Sequence, residues 1–290
     1  MNKSMAYSIF PFSSALKKAL EMIGSNLEWV ASEKNKNKQQ ELLNLLKNIS
    51  PKDCESLDMK TIGSYSADEI NKFLADNGFD IQLDQLDPGG IGVASILKIF
   101  MSWVYEGMDC DINAKNGEKY KGVKMLKNIE LFSARTYEEN VRLCEIVCLH
   151  SAEGLNLYLT KVPFYLENEQ DVFGAAKMFS EDKIKSHRSI KSVSFPEIEI
   201  NCQPDISWLC GLNAGKDFIS QALMQTKFKL DKHGAQAEAG VAIAVSRGIS
   251  FDQIDIIFDE PFLAWIEKPG IEIPIFVSWC DYDSWKIVTR

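Results

Sequence analysis

Histidine is scarce in this chain, with three in 290 residues: His150, His187 and His233. Any Ser-His-Asp or Cys-His device must recruit one of them. His187 sits in Lys-Ser-His-Arg, a polar stretch read as a solvated loop. Cys148 and His150 stand two apart at the end of an apolar run, which reads as a core thiol beside a loop histidine. No GxGxxG, HExxH or GxSxG motif occurs. Gly211 with Gly215-Lys216-Asp217 misses the phosphate-loop spacing and places Asp where magnesium needs Ser or Thr. Enzymatic chemistry has little to stand on, and no pattern calls for a cofactor or a metal.

Other shortages exclude other classes. The seven cysteines are odd in number and scattered, with no CxxC pair, so neither a disulfide framework nor a zinc ribbon is expected. This predicts a reduced, cytoplasmic setting, in which the sequons at Asn2 and Asn48 go unused. Basic charge is in deficit, and the net charge of −9 argues against nucleic acid or an anionic membrane as partner. The longest apolar run, 91–105, is broken by Lys98 and falls short of the ~20 residues of a membrane span. The first apolar run is too short and broken for a signal peptide. With 17 Gly and 9 Pro, the chain is neither collagen-like nor linker-dominated.

What is present is core material, 46% hydrophobic residues, arranged first for helices and then for strands. Residues 13–23 place Ala15, Leu16, Ala19, Leu20 and Ile23 on one helical face. Residues 34–47 read as a second helix, solvated at first and then lined by Leu42, Leu43, Leu45 and Leu46. Ser66-Ala-Asp-Glu69 reads as a capping box opening a third, with Ile70, Phe73 and Leu74 inward and Gly78 as its stop. Runs 94–103, 141–149, 155–162 and 193–200 read as strands, and Leu155, Leu157 and Leu159 alternate after a turn at 150–154. Thr226, Phe228 and Leu230 alternate as well. Helices followed by strands predict an α+β domain without repeats or a low-complexity linker.

One stretch resists a globular reading. Residues 233–245, His-Gly-Ala-Gln-Ala-Glu-Ala-Gly-Val-Ala-Ile-Ala-Val, are small and long for a connection. At period two, Ala235, Ala237, Ala239, Val241, Ile243 and Val245 share one apolar face. A surface helix, an exposed loop and a strand fitted to a tight slot all satisfy this pattern.

Here the chain resembles the serpin family. Residues 219–239 are similar to the fifth strand of the large sheet A running into the reactive-loop hinge. Phe258-Asp-Glu-Pro-Phe-Leu-Ala-Trp-Ile266 resembles the strand after the loop, and Pro274-Ile-Phe-Val-Ser278 the closing strand. Val193-Ser-Phe-Pro-Glu-Ile-Glu-Ile200 resembles the strand opening the C-terminal third. Residues 65–103 are similar to helix F and strand 3 of sheet A, with Trp103 at the breach, and 8–15 resemble the start of helix B. The resemblance covers most of the chain and is strongest from Val193 onward.

It implies a single domain over 1–290: a reduced helical part at 1–93, then a sheet-rich part at 94–290 carrying a reactive loop at about 234–257. It further implies that 94–103, 193–200 and 220–230 share one sheet. The resemblance implies a shortened member: helix A would be missing, and no counterpart of helices D and E or of the first two strands of sheet A is expected between the second helix and Ser66. Sheet A is therefore expected to be narrow. The hinge falls at Gly234, Ala235, Ala237 and Ala239, with Ala235 where the family has Thr. Counting from Gly234 places the cut at Gly248-Ile249, whereas an acidic trypsin-like pocket prefers Arg247-Gly248, and Arg247 is favoured. Asp252 and Asp255 would suit a caspase-type protease but lie late in the loop. The shutter pair falls on Ser95 and Met224, where both family residues are replaced, and simple core packing is the plainer role for them. The expected function is suicide inhibition of an intracellular protease, trypsin-like or alternatively a cysteine protease, by a monomer without cofactor. The alternative is a non-inhibitory interaction protein that kept the scaffold and lost the trap.

Overall fold

The computed structural model describes residues 3–136, 142–164, 166–235 and 253–288. The chain folds as two compact units, each assembled from separated segments. One comprises Met1–Tyr7, Phe100–Cys202 and Lys227–Arg290, and the other Ser8–Ile99 and Gln203–Thr226.

The helices of the second unit begin with α1 (Phe10–Ile23), which starts earlier than its apolar face predicts because Pro11 is well suited to a first turn. Next come α2 (Lys36–Leu46), α3 (Pro51–Ser56) and α4 (Ala67–Asp76). On α2 the buried positions are Leu42 and, unexpectedly, Gln39. The Gln39 amide is satisfied: Ser32 N–H donates to its Oε1 at 2.7 Å, and its Nε2 donates to the Trp208 carbonyl at 2.7 Å. The capping box read at Ser66 does not form. Ser64, at the end of the preceding strand, donates its hydroxyl to Glu69 and accepts from Ser66 N–H, diverting both residues. A capping box closes instead at Ser50 and Asp53 on α3. Gly78 follows the end of α4 at φ +83°, as a left-handed stop requires.

A strand also stands where none was expected. Met59–Ser64 pairs antiparallel with Gly92–Leu97. Its Gly63 lies so close to Met22 and Lys18 of α1 that a larger residue would displace them. Ile70 and Leu74 of α4 pack on Ala94 and Ile96 of this ladder, with Ile62, Phe73 and Phe79 at the edges.

The first unit is built on a seven-stranded antiparallel sheet. Its order is Met5–Tyr7, Phe276–Cys280, Phe262–Glu267, Asn156–Thr160, Arg142–His150, Ile129–Thr136, Ile184–Lys185. All five residues of Phe276–Cys280 are buried, as in a strand covered on both faces. A further helix, α5 (Glu169–Asp182), packs on the sheet through Val172, Phe173, Ala176 and Phe179, with the Phe179 ring stacked 6.1 Å from Trp265. This helix was not expected, although its i, i+3, i+4, i+7 spacing and its Asn168 N-cap are legible signals in the sequence.

A four-stranded sheet runs Gln253–Ile257, Ser189–Pro196, Lys119–Met125, Met108–Asn113, and its first pair is parallel. Asp255 therefore belongs to a ladder strand and accepts from the Ser192 hydroxyl, so it is not a free loop residue open to a caspase-type protease. The expectation that 94–103, 193–200 and 220–230 share one sheet is corrected. Among the described residues, Gly92–Leu97 pairs with Met59–Ser64, Ser189–Pro196 lies in the four-stranded sheet, and Thr226–Leu230 pairs with Ile198–Cys202.

Candidate functional site

Thr226–Leu230 buries Thr226, Phe228 and Leu230 and leaves the alternate residues outward, so it reaches its end with a fixed register. There the chain reverses. Asp231 and Gly234 exchange backbone hydrogen bonds of 3.1 and 3.3 Å, and the Asp231 carboxylate accepts from His233 N–H at 2.9 Å. Lys229 donates to the same carboxylate at 2.8 Å. Burial pushes the Asp231 carboxyl up, but the Lys229 ammonium and the His233 N–H outweigh it and hold the group below its ordinary value.

The reversed chain, Gly234–Ala235, pairs antiparallel with Met101–Ser102. Gly234 sits at φ +129°, and a Cβ there would overlap the Met101 carbonyl oxygen and come within 2.8 Å of Ser102 Cα. Only glycine fits this approach.

Trp103 holds the turn. Its indole Nε1 donates to the Asp231 carbonyl at 3.0 Å, and its backbone N–H donates to the His233 carbonyl at 3.1 Å. Gly107 N–H donates to the Lys232 carbonyl between them at 2.9 Å. Three successive carbonyls of the turn thus accept from donors within 103–107, which satisfies its backbone without help from solvent. Lys232 pairs with Asp109 at 2.8 Å and His233 with Glu106 at 3.1 Å on the outer side. These exposed pairs contribute little.

The structure brings Gly234, Ala235 and Trp103 together. Ala237, Ala239, Arg247, Gly248 and Ile249 lie outside the described residues. Ser95 and Met224 fall in the second unit, and both are half-buried. Core packing is not the whole role of Ser95. Its hydroxyl is 3.0 Å from Thr61 Oγ1, which is 2.7 Å from the Ser14 hydroxyl of α1, making a three-hydroxyl chain from helix to ladder. Thr61, Ser14, Asp231 and Gly107 carried no local signal, because each acts through a partner distant in sequence or through the backbone.

The Cys148-His150 pair is not a nucleophilic dyad. His150 ends the strand rather than lying in a loop, and its ring nitrogens stand 3.9 Å from Cys148 Sγ. Burial pushes that thiol up to about 12, so it stays protonated at neutral pH. The ring is engaged by Asn156 at 2.8 Å and Glu130 at 3.6 Å. Lys216 belongs to an ordinary hairpin turn between Asn213–Ala214 and Asp217–Phe218, with Gly215 at φ +65°. No helix among the described residues is long and apolar enough to cross a membrane.

No protein-family model and no curated protein matches the sequence. Solved structures do match the fold. The native thermophilic serpin tengpin is 13% identical at a TM-score of 0.59, covering 96% of this chain and 88% of that one. Serpin48 of the insect Tenebrio molitor is 13% identical at 0.57, covering 97% and 92%. Arabidopsis AtSerpin1, in its native stressed conformation, is 12% identical at 0.57, covering 96% and 91%. At these identities the likeness establishes the fold: the chain is an α+β protein with the serpin fold.

Proposed function

We propose that this chain is a shortened serpin that traps a protease through cleavage of the segment after Gly234. The observation that supports this most directly is the pairing of Gly234–Ala235 with Met101–Ser102. A turn closed by Trp103 already aims the chain back along a strand, in the antiparallel sense an inserted hinge needs. The bait in this reading is Arg247, whose guanidinium suits an acidic trypsin-like pocket, with Gly248-Ile249 as the neighbouring bond. The protease serine attacks the Arg247 carbonyl, the peptide bond to Gly248 breaks, and the amine leaves with the proton while an acyl ester holds the enzyme. The freed strand then extends the ladder begun at Gly234. About a dozen residues at ~3.3 Å each carry the severed end ~40 Å. New ladder bonds worth ~1 kcal/mol net each release on the order of 10 kcal/mol. The uncut chain is in this reading a kinetic trap, acting as a monomer in the cytoplasm.

The rival reading is a non-inhibitory interaction scaffold. It draws on the absent shutter pair, since Ser95 spends its hydroxyl on Thr61. Incubation with a panel of serine and cysteine proteases, read on a denaturing gel, separates the two. A complex that survives denaturation and is lost in Arg247→Ala supports the trap. Clean cleavage without a complex, and without a rise in melting temperature of the cut protein, defeats it.

A further inference from the structure

The strand that receives the hinge is two residues long, too short to hold itself by ladder bonds alone. Its hinge-facing edge is occupied by Gly234–Ala235. Its other edge is held by the turn joining Arg142–His150 to Asn156–Thr160. Ala152 N–H donates to the Ser102 carbonyl at 2.8 Å, and Trp103 bridges to Ser151. Glu153 completes this edge from the same turn: one carboxylate oxygen accepts Ser102 N–H at 2.9 Å, and the other accepts the Ser102 hydroxyl. Each carboxylate oxygen thus bonds the same residue, 51 positions away, and the Ser151 hydroxyl adds a bond from within the turn. Burial pushes the Glu153 carboxyl up, but the Ser102 hydroxyl and N–H outweigh it and hold it below its ordinary value. The carboxylate therefore occupies the place a neighbouring strand would take.

We infer that Glu153 is a positioning residue for the hinge. By gripping Ser102 from behind, it keeps Met101–Ser102 extended and in register as the template on which Gly234–Ala235 adds. This role rests on the trap reading for its purpose, but not for its measurement. A bond to an ionised acceptor is stronger than a neutral one, so its loss is felt at the strand it holds.

Amide hydrogen exchange on the intact, uncut chain tests the assignment. The Trp103 and Gly107 amides, bonded to the His233 and Lys232 carbonyls, report hinge pairing. Glu153→Ala is expected to speed their exchange about 10- to 100-fold while amides of Asn156–Thr160 and Phe262–Glu267 change little. Glu153→Gln is expected to restore most of the protection, because its Oε1 accepts Ser102 N–H and its Nε2 donates to the Ser102 hydroxyl. If the alanine variant does not fold, Ser102→Ala removes the hydroxyl bond from the strand side instead: faster exchange confined to Trp103 and Gly107 counts in favour, and no change there or equal acceleration across all strands counts against. Unchanged Trp103 exchange in Glu153→Ala, or no rescue by Gln, overturns the assignment. A chain that traps no protease yet shows the selective exchange keeps Glu153 as strand holder and removes the inhibitor reading alone. If the chain does trap a protease, Glu153→Ala is expected to be cleaved several times per complex formed.

Discussion

Replacing Gly234 with alanine strikes the one backbone contact that the hinge reading depends on. At φ +129° an L side chain is strained by about 1–3 kcal/mol before any contact is counted. The new Cβ also meets the Met101 carbonyl and Ser102 Cα, backbone atoms that no rotamer change relieves. The strand must part, and the Trp103 bonds to the His233 and Asp231 carbonyls weaken with it, at about 1 kcal/mol each. Alanine returns about 0.5 kcal/mol by reducing the freedom of the unfolded chain. The net loss expected is about 2.5–4.5 kcal/mol, reached by releasing the hinge rather than by unfolding the unit. Urea denaturation measures the loss, and exchange at the Trp103 amide locates it. Gly270→Ala is the control, since Gly270 has φ +90° but no atom within 4 Å of the methyl that alanine would add, so only the backbone strain applies. If Gly234→Ala costs no more than Gly270→Ala and leaves Trp103 protected, the close approach is not what holds the hinge, and the reasoning fails.

Three further outcomes follow from other parts of the fold. Thr61→Val cuts the Ser14–Thr61–Ser95 hydroxyl chain in the middle and should cost about 1–2 kcal/mol; a double-mutant cycle with Ser95→Ala should show coupling of at least about 0.5 kcal/mol, and strict additivity would mean the hydroxyls act separately. Gln39→Ala strips fully buried partners from Ser32 N–H and the Trp208 carbonyl and should cost about 2–4 kcal/mol in thermal or urea denaturation, well beyond an exposed Gln40→Ala. Burial pushes the Cys148 and Cys280 thiols up to about 12, so in the native chain at pH 8 neither should react with a thiol reagent on the timescale of free cysteine; both should titrate only after denaturant is added.

Much of the architecture was legible because it rests on short-range periodicity. The apolar spacing of Ile70 and Leu74, the stop at Gly78 and the alternation of Thr226, Phe228 and Leu230 each need only a few neighbouring residues. Met59–Ser64 escaped because Gly63 and Lys60 dilute its pattern, and it is a strand only because Gly92–Leu97 offers a partner. The Ser66 box failed for a related reason: the local motif was sound, but Glu69 accepts from Ser64 and Ser66 N–H donates to the same hydroxyl.

The local sequence carries the α+β class, the lack of GxGxxG, HExxH and GxSxG motifs, and the start of a small-residue segment at Gly234. Those are properties of composition and of spacing within one element. It left open how that segment starts, since helix, loop and strand all accept alanine and glycine. Tertiary structure decided it for Gly234–Ala235, through a turn whose three carbonyls meet Trp103 and Gly107, and a strand held from behind by Glu153. Backbone hydrogen bonds carry no side-chain identity, so pairings made over 50 or more residues leave no trace in a local pattern and exist only once the chain has closed on itself.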